Sequence, residues 1–140
     1  MKTMSRTIIL TLLPLMLIAA GARAGSKYSL TSPNGKIEII VGTGERITYN
    51  VLLGGKALLQ DGTLSLGIDQ LTLGLRPVVK NAKQSSVDRL IQPVVRQKFA
   101  AIRESYNELR LEMDGGYAVV FRAYNEGAAY RFEAMLAMLV

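Results

Sequence analysis

The eleven aspartates and glutamates are the side chains best able to do chemistry here, because the chain has no cysteine and no histidine. That excludes thiol nucleophiles, histidine-based triads and zinc sites of the Cys/His kind. Carboxylate chemistry and oxygen-ligand metal binding remain. Acid–base chemistry by carboxylates needs a pair of them held at a fixed separation, and eleven acids offer many pairs, so a pair alone is no evidence. Glu108 and Glu112 lie on one face of an alternating segment, but Arg110 stands between them, and such a row reads as a solvated strand face. Asp61, Asp69 and Asp88 sit in or beside turn-forming residues and read as turn caps. No EF-hand-like spacing of acids occurs. These patterns assign no catalytic, metal-binding or cofactor-binding residue.

Aromatic rings are the other resource, since an exposed ring flanked by polar groups can hold a ligand. The chain has three Phe, six Tyr and no Trp. Tyr117, Phe121, Tyr130 and Phe132 fall on strand faces that read as core. Tyr124, beside Asn125 and Glu126 at a hairpin tip, is the candidate exposed ring, and these three residues are the candidate substrate-binding set. Arg122 and Arg131 interrupt apolar strands and need acceptors, for which Glu126 and Glu133 are the nearest choices.

The elements that must position this tip are short strands. Residues 117–124 place Tyr117, Val119, Phe121 and Ala123 on one face, and 128–133 place Tyr130 and Phe132 on one face with Arg131 and Glu133 on the other. Asn125-Glu126-Gly127 between them tolerates the positive φ of a hairpin turn. Upstream, a strand at 28–31 enters the turn Ser32-Pro33-Asn34-Gly35, and 36–41 alternates through Ile37, Ile39 and Val41 before a turn at 42–44. Ile47, Tyr49, Val51 and Leu53 point one way, Gly54-Gly55 reverses the chain and 56–59 returns. Residues 64–68 alternate. Residues 70–75 read as strand or loop, 77–84 carry little pattern, and 85–91 and 93–96 are strand pieces broken by Pro93. Residues 97–105 mix helical and extended spacing, with strand the better reading. Residues 108–113 alternate cleanly before the turn Asp114-Gly115-Gly116. Nine or ten strands with turns about every ten residues predict an all-β, antiparallel β-sandwich.

Hydrophobic residues make up 49% of the 140, enough for one folded domain. The first 24 stand apart. Lys2 and Arg6 precede an apolar run at 8–20, and Ala22-Arg23-Ala24 is an A-x-A cleavage signal, so 1–24 is expected to be a signal-peptide helix cut between Ala24 and Gly25. The run is too short for a membrane span of about 20 residues. No cysteine adjoins the cut, which excludes a lipid anchor, so a periplasmic or secreted location and no membrane contact after cleavage are expected. Three of the 17 bases leave with the leader and no acid does, so the net charge falls from +6 to +3. Scattered bases at that charge argue against nucleic-acid binding. The apolar, unalternating residues 134–140 read as a buried last element or the mark of a chain cut short.

Ser32-Pro-Asn-Gly-Lys36, Tyr49 with Gly55-Lys56, Ser85-Ser-Val-Asp88, Tyr106-Asn-Glu-Leu109 and the hairpin Phe121 to Phe132 occur in an order that resembles the N-terminal region of glycoside hydrolase family 97. The resemblance covers about 28–133. It departs at Leu90-Ile91, where the family usually has a tryptophan nearby, and at Arg96-Gln97, in place of a glycine-glutamate pair. It implies secreted α-glucosidases and α-galactosidases with a large β-sandwich, part of a super-sandwich, a (β/α)8 catalytic barrel and calcium in the full-length enzyme. On that reading 25–140 is a partial N-terminal β-sandwich without the barrel, inactive alone, holding no cofactor itself, and associated with an α-glucan or other oligosaccharide. The alternative is a stand-alone periplasmic carbohydrate-binding or structural sandwich.

Overall fold

The computed structural model describes residues 25–92 and 101–134. The expected leader with Ala24, the strand piece at 93–96, residues 97–100 and the apolar tail beyond Ala134 lie outside the described residues.

Among the described residues there are ten strands and no helix. β1 (Lys27–Thr31), β2 (Ile37–Thr43), β3 (Ile47–Leu53) and β4 (Lys56–Leu64) make one antiparallel sheet in chain order. β7 (Val79–Ile91), β8 (Ile102–Met113), β9 (Tyr117–Tyr124) and β10 (Ala128–Ala134) make a second, also a meander. β5 (Leu66–Ile68) and β6 (Leu71–Leu73) form a small ribbon between them. The all-β sandwich is therefore as the alternation predicts. Gly54 and Gly55 take φ of 57° and 81°, the pair of left-handed residues that a tight β3–β4 hairpin requires.

The two sheets pack face to face, with β1 against β8 and β9, and β2 against β9. Alternation supplies the core: Leu30, Ile39, Val41 and Ile47 from one sheet meet Leu109, Leu111, Val119, Phe121 and Ala123 from the other. Tyr49 of β3 reaches Phe121 (6.3 Å between ring centres) and Tyr130 (5.7 Å), a three-ring cluster spanning both layers. Tyr117 stacks on Phe132 at 6.4 Å, and its buried hydroxyl accepts the Gly74 N–H at 3.3 Å.

Several boundaries differ from the sequence pattern. β2 runs through Gly42 and Thr43, where a turn is expected, because Gly42 lies close against the Thr48 hydroxyl across the pair. β4 extends to Leu64. Its Asp61-Gly62 looks like a turn but forms an irregularity within the strand, with Asp61 at φ 52° and its N–H on Asn50 Oδ1 at 2.7 Å. The strand piece expected at 85–91 forms, and it begins earlier than the pattern shows, taking in 79–84 to make one 13-residue strand. Residues 102–105 are strand, as the better of the two readings expects. The reversal at 125–127 uses no left-handed φ, and the Tyr124 N–H donates to the Gly127 carbonyl at 2.8 Å.

Candidate functional site

The β9–β10 tip carries the three residues that sequence reasoning singles out. Asn125 is a structural tether, since its Oδ1 accepts the Asn34 N–H at 2.9 Å and so ties this tip to the β1–β2 turn. That turn is itself fixed, since Asn34 Oδ1 accepts both the Ser32 hydroxyl (2.7 Å) and the Lys36 N–H (3.0 Å), while Ser32 Oγ accepts the Ile37 N–H. Tyr124 is half-buried, not exposed, because its ring leans on Tyr106 at 5.2 Å. Glu126 is exposed. Tyr124, Asn125 and Glu126 share a cleft of about 420 Å3 with Ile91, Ile102 and the 103–105 stretch of β8. Arg103 and Glu104 there are engaged with β7, on Asp88 (2.7 Å) and Arg89 (2.5 Å). Gly25, on the distal side of the expected cleavage, is exposed and lies so close to the Thr43 carbonyl that a Cβ would collide with it.

Beside the tip, the outer face of the second sheet carries a charge network that sequence pairing only partly anticipates. Arg122 Nε donates to Glu108 Oε2 at 2.7 Å, and its guanidinium lies 4.3 Å above the Tyr106 ring. Glu108 also faces Arg131 at 4.0 Å. Arg131 bonds Glu133 at 2.7 Å, Glu133 bonds Arg110, and Arg110 reaches Glu112 at 3.4 Å. Six charges thus form one chain across β8, β9 and β10. Arg131 meets Glu133 as expected, whereas Arg122 takes Glu108 because that residue is its direct cross-strand neighbour.

Glu108 is consequently mostly buried, and the solvated row expected of Glu108 and Glu112 is instead part of a paired network. Val120, flanked across strands by Arg110 and Arg131, is fully buried beneath this layer, as apolar positions are under long arginine stems. Partial burial is the largest single influence and opposes the Arg122 charge. The hydrogen bonds with Glu108 and Tyr124 and the attraction of Tyr106 and Glu108 together outweigh it and hold the guanidinium above its ordinary value. Arg110 and Arg131 together hold the Glu133 carboxyl below the usual carboxylate range. Asp88 does not cap a turn. It lies within β7 and is drawn below its ordinary value by Arg103.

Tyr130 also departs from expectation. Its alternation is that of a core residue, but it is 49% exposed, because the opposing sheet ends beside it. It borders an apolar groove of about 300 Å3 with Leu58 and Leu59 of β4 and Ala128 and Ala129 of β10. Pairing of sheets is not readable from one strand's alternation, so no local signal reveals this groove. Among the described residues no three carboxylate-type ligands converge as a metal ion requires, so no residue here is assigned to calcium.

A face-to-face pair of antiparallel meanders, with its charges neutralised in a surface network, defines an antiparallel β-sandwich domain. The profile of the family described as glycosyl-hydrolase 97 N-terminal matches residues 30–138, and this chain belongs to that family. A curated relative, the retaining alpha-galactosidase of Bacteroides thetaiotaomicron, is 32% identical over 122 residues, covering 86% of this chain and 18% of the relative. A family 97 enzyme solved with acarbose, from Pseudoalteromonas sp. strain K8, superposes with a TM-score of 0.66 at 21% identity, over 76% of this chain and 17% of that one. A beta-arabinopyranosidase superposes at 0.68 with 19% identity, over 76% and 18%. The chain therefore spans less than a fifth of the length of these relatives.

Proposed function

We propose that this chain serves as the N-terminal, carbohydrate-associated sandwich of a secreted family 97 glycoside hydrolase, with bond cleavage performed by a barrel outside these residues. The observation that carries the reading is the family match across 30–138 combined with coverage of only 18% of the retaining alpha-galactosidase. The chemistry of the described residues supports it. Glu108, Glu112 and Glu133, the three acids of the charge network, are each held by arginines, so none stands ready as an acid or a nucleophile. The cleft at the β9–β10 tip supplies what a sugar takes: the Tyr124 ring, the Ser105 hydroxyl and the exposed Glu126 carboxylate. Asn125 shapes that cleft by holding the tip to Asn34. An oligosaccharide is the ligand class, by analogy with the acarbose complex of the Pseudoalteromonas enzyme.

The test is isothermal titration of the folded chain with acarbose and with maltooligosaccharides, alongside hydrolysis assays on nitrophenyl α-galactoside and α-glucoside. Saturable binding without turnover is expected, weakened by Tyr124→Ala. Turnover by the chain alone would refute the non-catalytic assignment. A folded chain that binds neither ligand would refute carbohydrate association and leave a structural sandwich.

A further inference from the structure

Of the five asparagines, only Asn34 is followed by glycine, in the turn Ser32-Pro33-Asn34-Gly35. Such a pair can react with itself. The Gly35 amide nitrogen, once it has lost its proton, attacks the Asn34 side-chain carbonyl, and glycine has no side chain to hinder the approach. The two groups adjoin in the chain, so the step needs no enzyme and no co-reactant but water. The folded turn opposes it. Asn34 N–H donates to Asn125 Oδ1 at 2.9 Å, and Asn34 Oδ1 accepts the Ser32 hydroxyl and the Lys36 N–H. Gly35 N–H donates to the Ser32 carbonyl at 2.8 Å. Donors on Oδ1 draw electrons from the side-chain carbonyl and would by themselves assist attack. The block therefore lies with the nucleophile, whose proton is committed to Ser32 while the turn is closed. The strands on either side are fastened. In β1, the carbonyls of Ser29 and Thr31 accept the side-chain amides of Gln84 (2.9 Å) and Asn107 (2.7 Å), and β2 is paired on both of its edges. Opening is thus confined to the turn, and Asn125 pins its middle from the other sheet.

We propose that Asn34 is a site of spontaneous deamidation latched by Asn125: the amide survives while the β9–β10 tip holds the turn closed, and a turn that opens and reacts does not reclose. In the reaction, the Gly35 nitrogen gives its proton to solvent and bonds to Asn34 Cγ. The Cγ–Nδ2 bond breaks, and that nitrogen takes a proton from water and leaves as ammonia. A second water then opens the cyclic imide. Addition at Cγ gives aspartate, and addition at the main-chain carbonyl gives iso-aspartate. The iso-aspartate routes the chain through Cγ and lengthens it by one methylene, which carries Gly35 away from the Ser32 carbonyl. The tip bearing Tyr124 and Glu126 is then released from the β1–β2 turn.

Peptide mapping by mass spectrometry, on the full chain aged in mildly alkaline buffer, reads the fraction of acid at position 34. The folded chain is expected to lose the amide roughly tenfold or more slowly than the same chain in urea, because both the Gly35 bond and the tether must break first. Asn125→Ala, checked as folded by circular dichroism, is expected to react about fivefold faster than the folded parent, the weight of one net hydrogen bond. Asn125→Asp keeps an oxygen for the Asn34 N–H and is expected to hold the parent rate. In urea all three should react alike. A second measurement needs no variant. In modified chain, separated from fresh chain by its added negative charge, the Tyr124 N–H that donates to Gly127 is expected to exchange with deuterium several-fold faster. Equal rates for folded and unfolded parent, Asn125→Ala no faster than the folded parent, Asn125→Asp as fast as Asn125→Ala, or unchanged exchange at Tyr124 would each overturn the proposal.

Discussion

Phe121→Ala is the substitution with the most to say about how the sandwich is held. Phe121 is 1% exposed and is the ring through which β9 meets Tyr49 of the opposite sheet and Tyr130 of its own. Truncating a buried Phe costs about 3–5 kcal/mol, the sum of lost transfer energy and an unfilled cavity. Here the lower value applies, because the ring already borders the 300 Å3 groove, and water entering from that side relieves part of the cavity cost. Lost ring–ring contact adds about 0.5–1.5 kcal/mol per pair, already within that range. A loss of about 3 kcal/mol lowers the midpoint by roughly 15 °C in a domain of this size. Urea unfolding followed by far-UV circular dichroism measures the difference directly, with the slope as a check on two-state behaviour. Phe121→Leu, which keeps most of the volume, should lose about 1 kcal/mol. A cost below about 1 kcal/mol for the alanine variant would refute the packing described above, because the layers would then not be joined through this ring.

Three further outcomes are expected. Gly74→Ala should cost roughly 2 kcal/mol or more, because φ is +91° and the new Cβ would sit 2.6 Å from the Leu64 carbonyl oxygen; an unchanged denaturation midpoint would contradict this. A double-mutant cycle on Arg122 and Glu108 should give a coupling of about 1 kcal/mol, since both are mostly buried and directly bonded, and zero coupling would show the pair to be ornamental. Asp88, Asp114 and Glu133 are all held below their ordinary values, by Arg103, by Lys80, and by Arg110 with Arg131. Their contribution to stability is thus complete above the ordinary carboxylate range and is lost as pH falls below about 4 through the folded values. With no histidine to titrate, the thermal midpoint should be flat between about pH 6 and 8, and a marked slope there would contradict this assignment of the titrating groups.

Where a strand lies between a core and solvent, its sequence announces it. β3 and β9 are legible because Ile47, Tyr49, Val51 and Phe121 alternate against polar or small neighbours. β7 is legible only in its second half, at 85–91, since its outer position leaves most of both faces in water and nothing imposes a period of two over 79–84. Asp61-Gly62 misleads for a related reason: the same residues serve a turn or a bulge, and only the partner strand decides which. Tyr130 and Arg122 show the limit most sharply. Alternation places each on the correct face, but whether that face is covered, and by which partner, depends on strands remote in sequence. The candidate tip is legible as a position, and its tether to Asn34 is not, because that bond spans 91 residues.

The stitching of β1 has a consequence for the order of assembly. Each sheet is a meander of strands adjacent in sequence, so each can form from its own stretch of chain. The bonds that fasten β1 reach 55 residues ahead to Gln84 and 76 ahead to Asn107. The first of the described strands is therefore among the last to be secured. Its edge stays open until β8 arrives, and closing that distance sets the pace, as contacts of long sequence separation do.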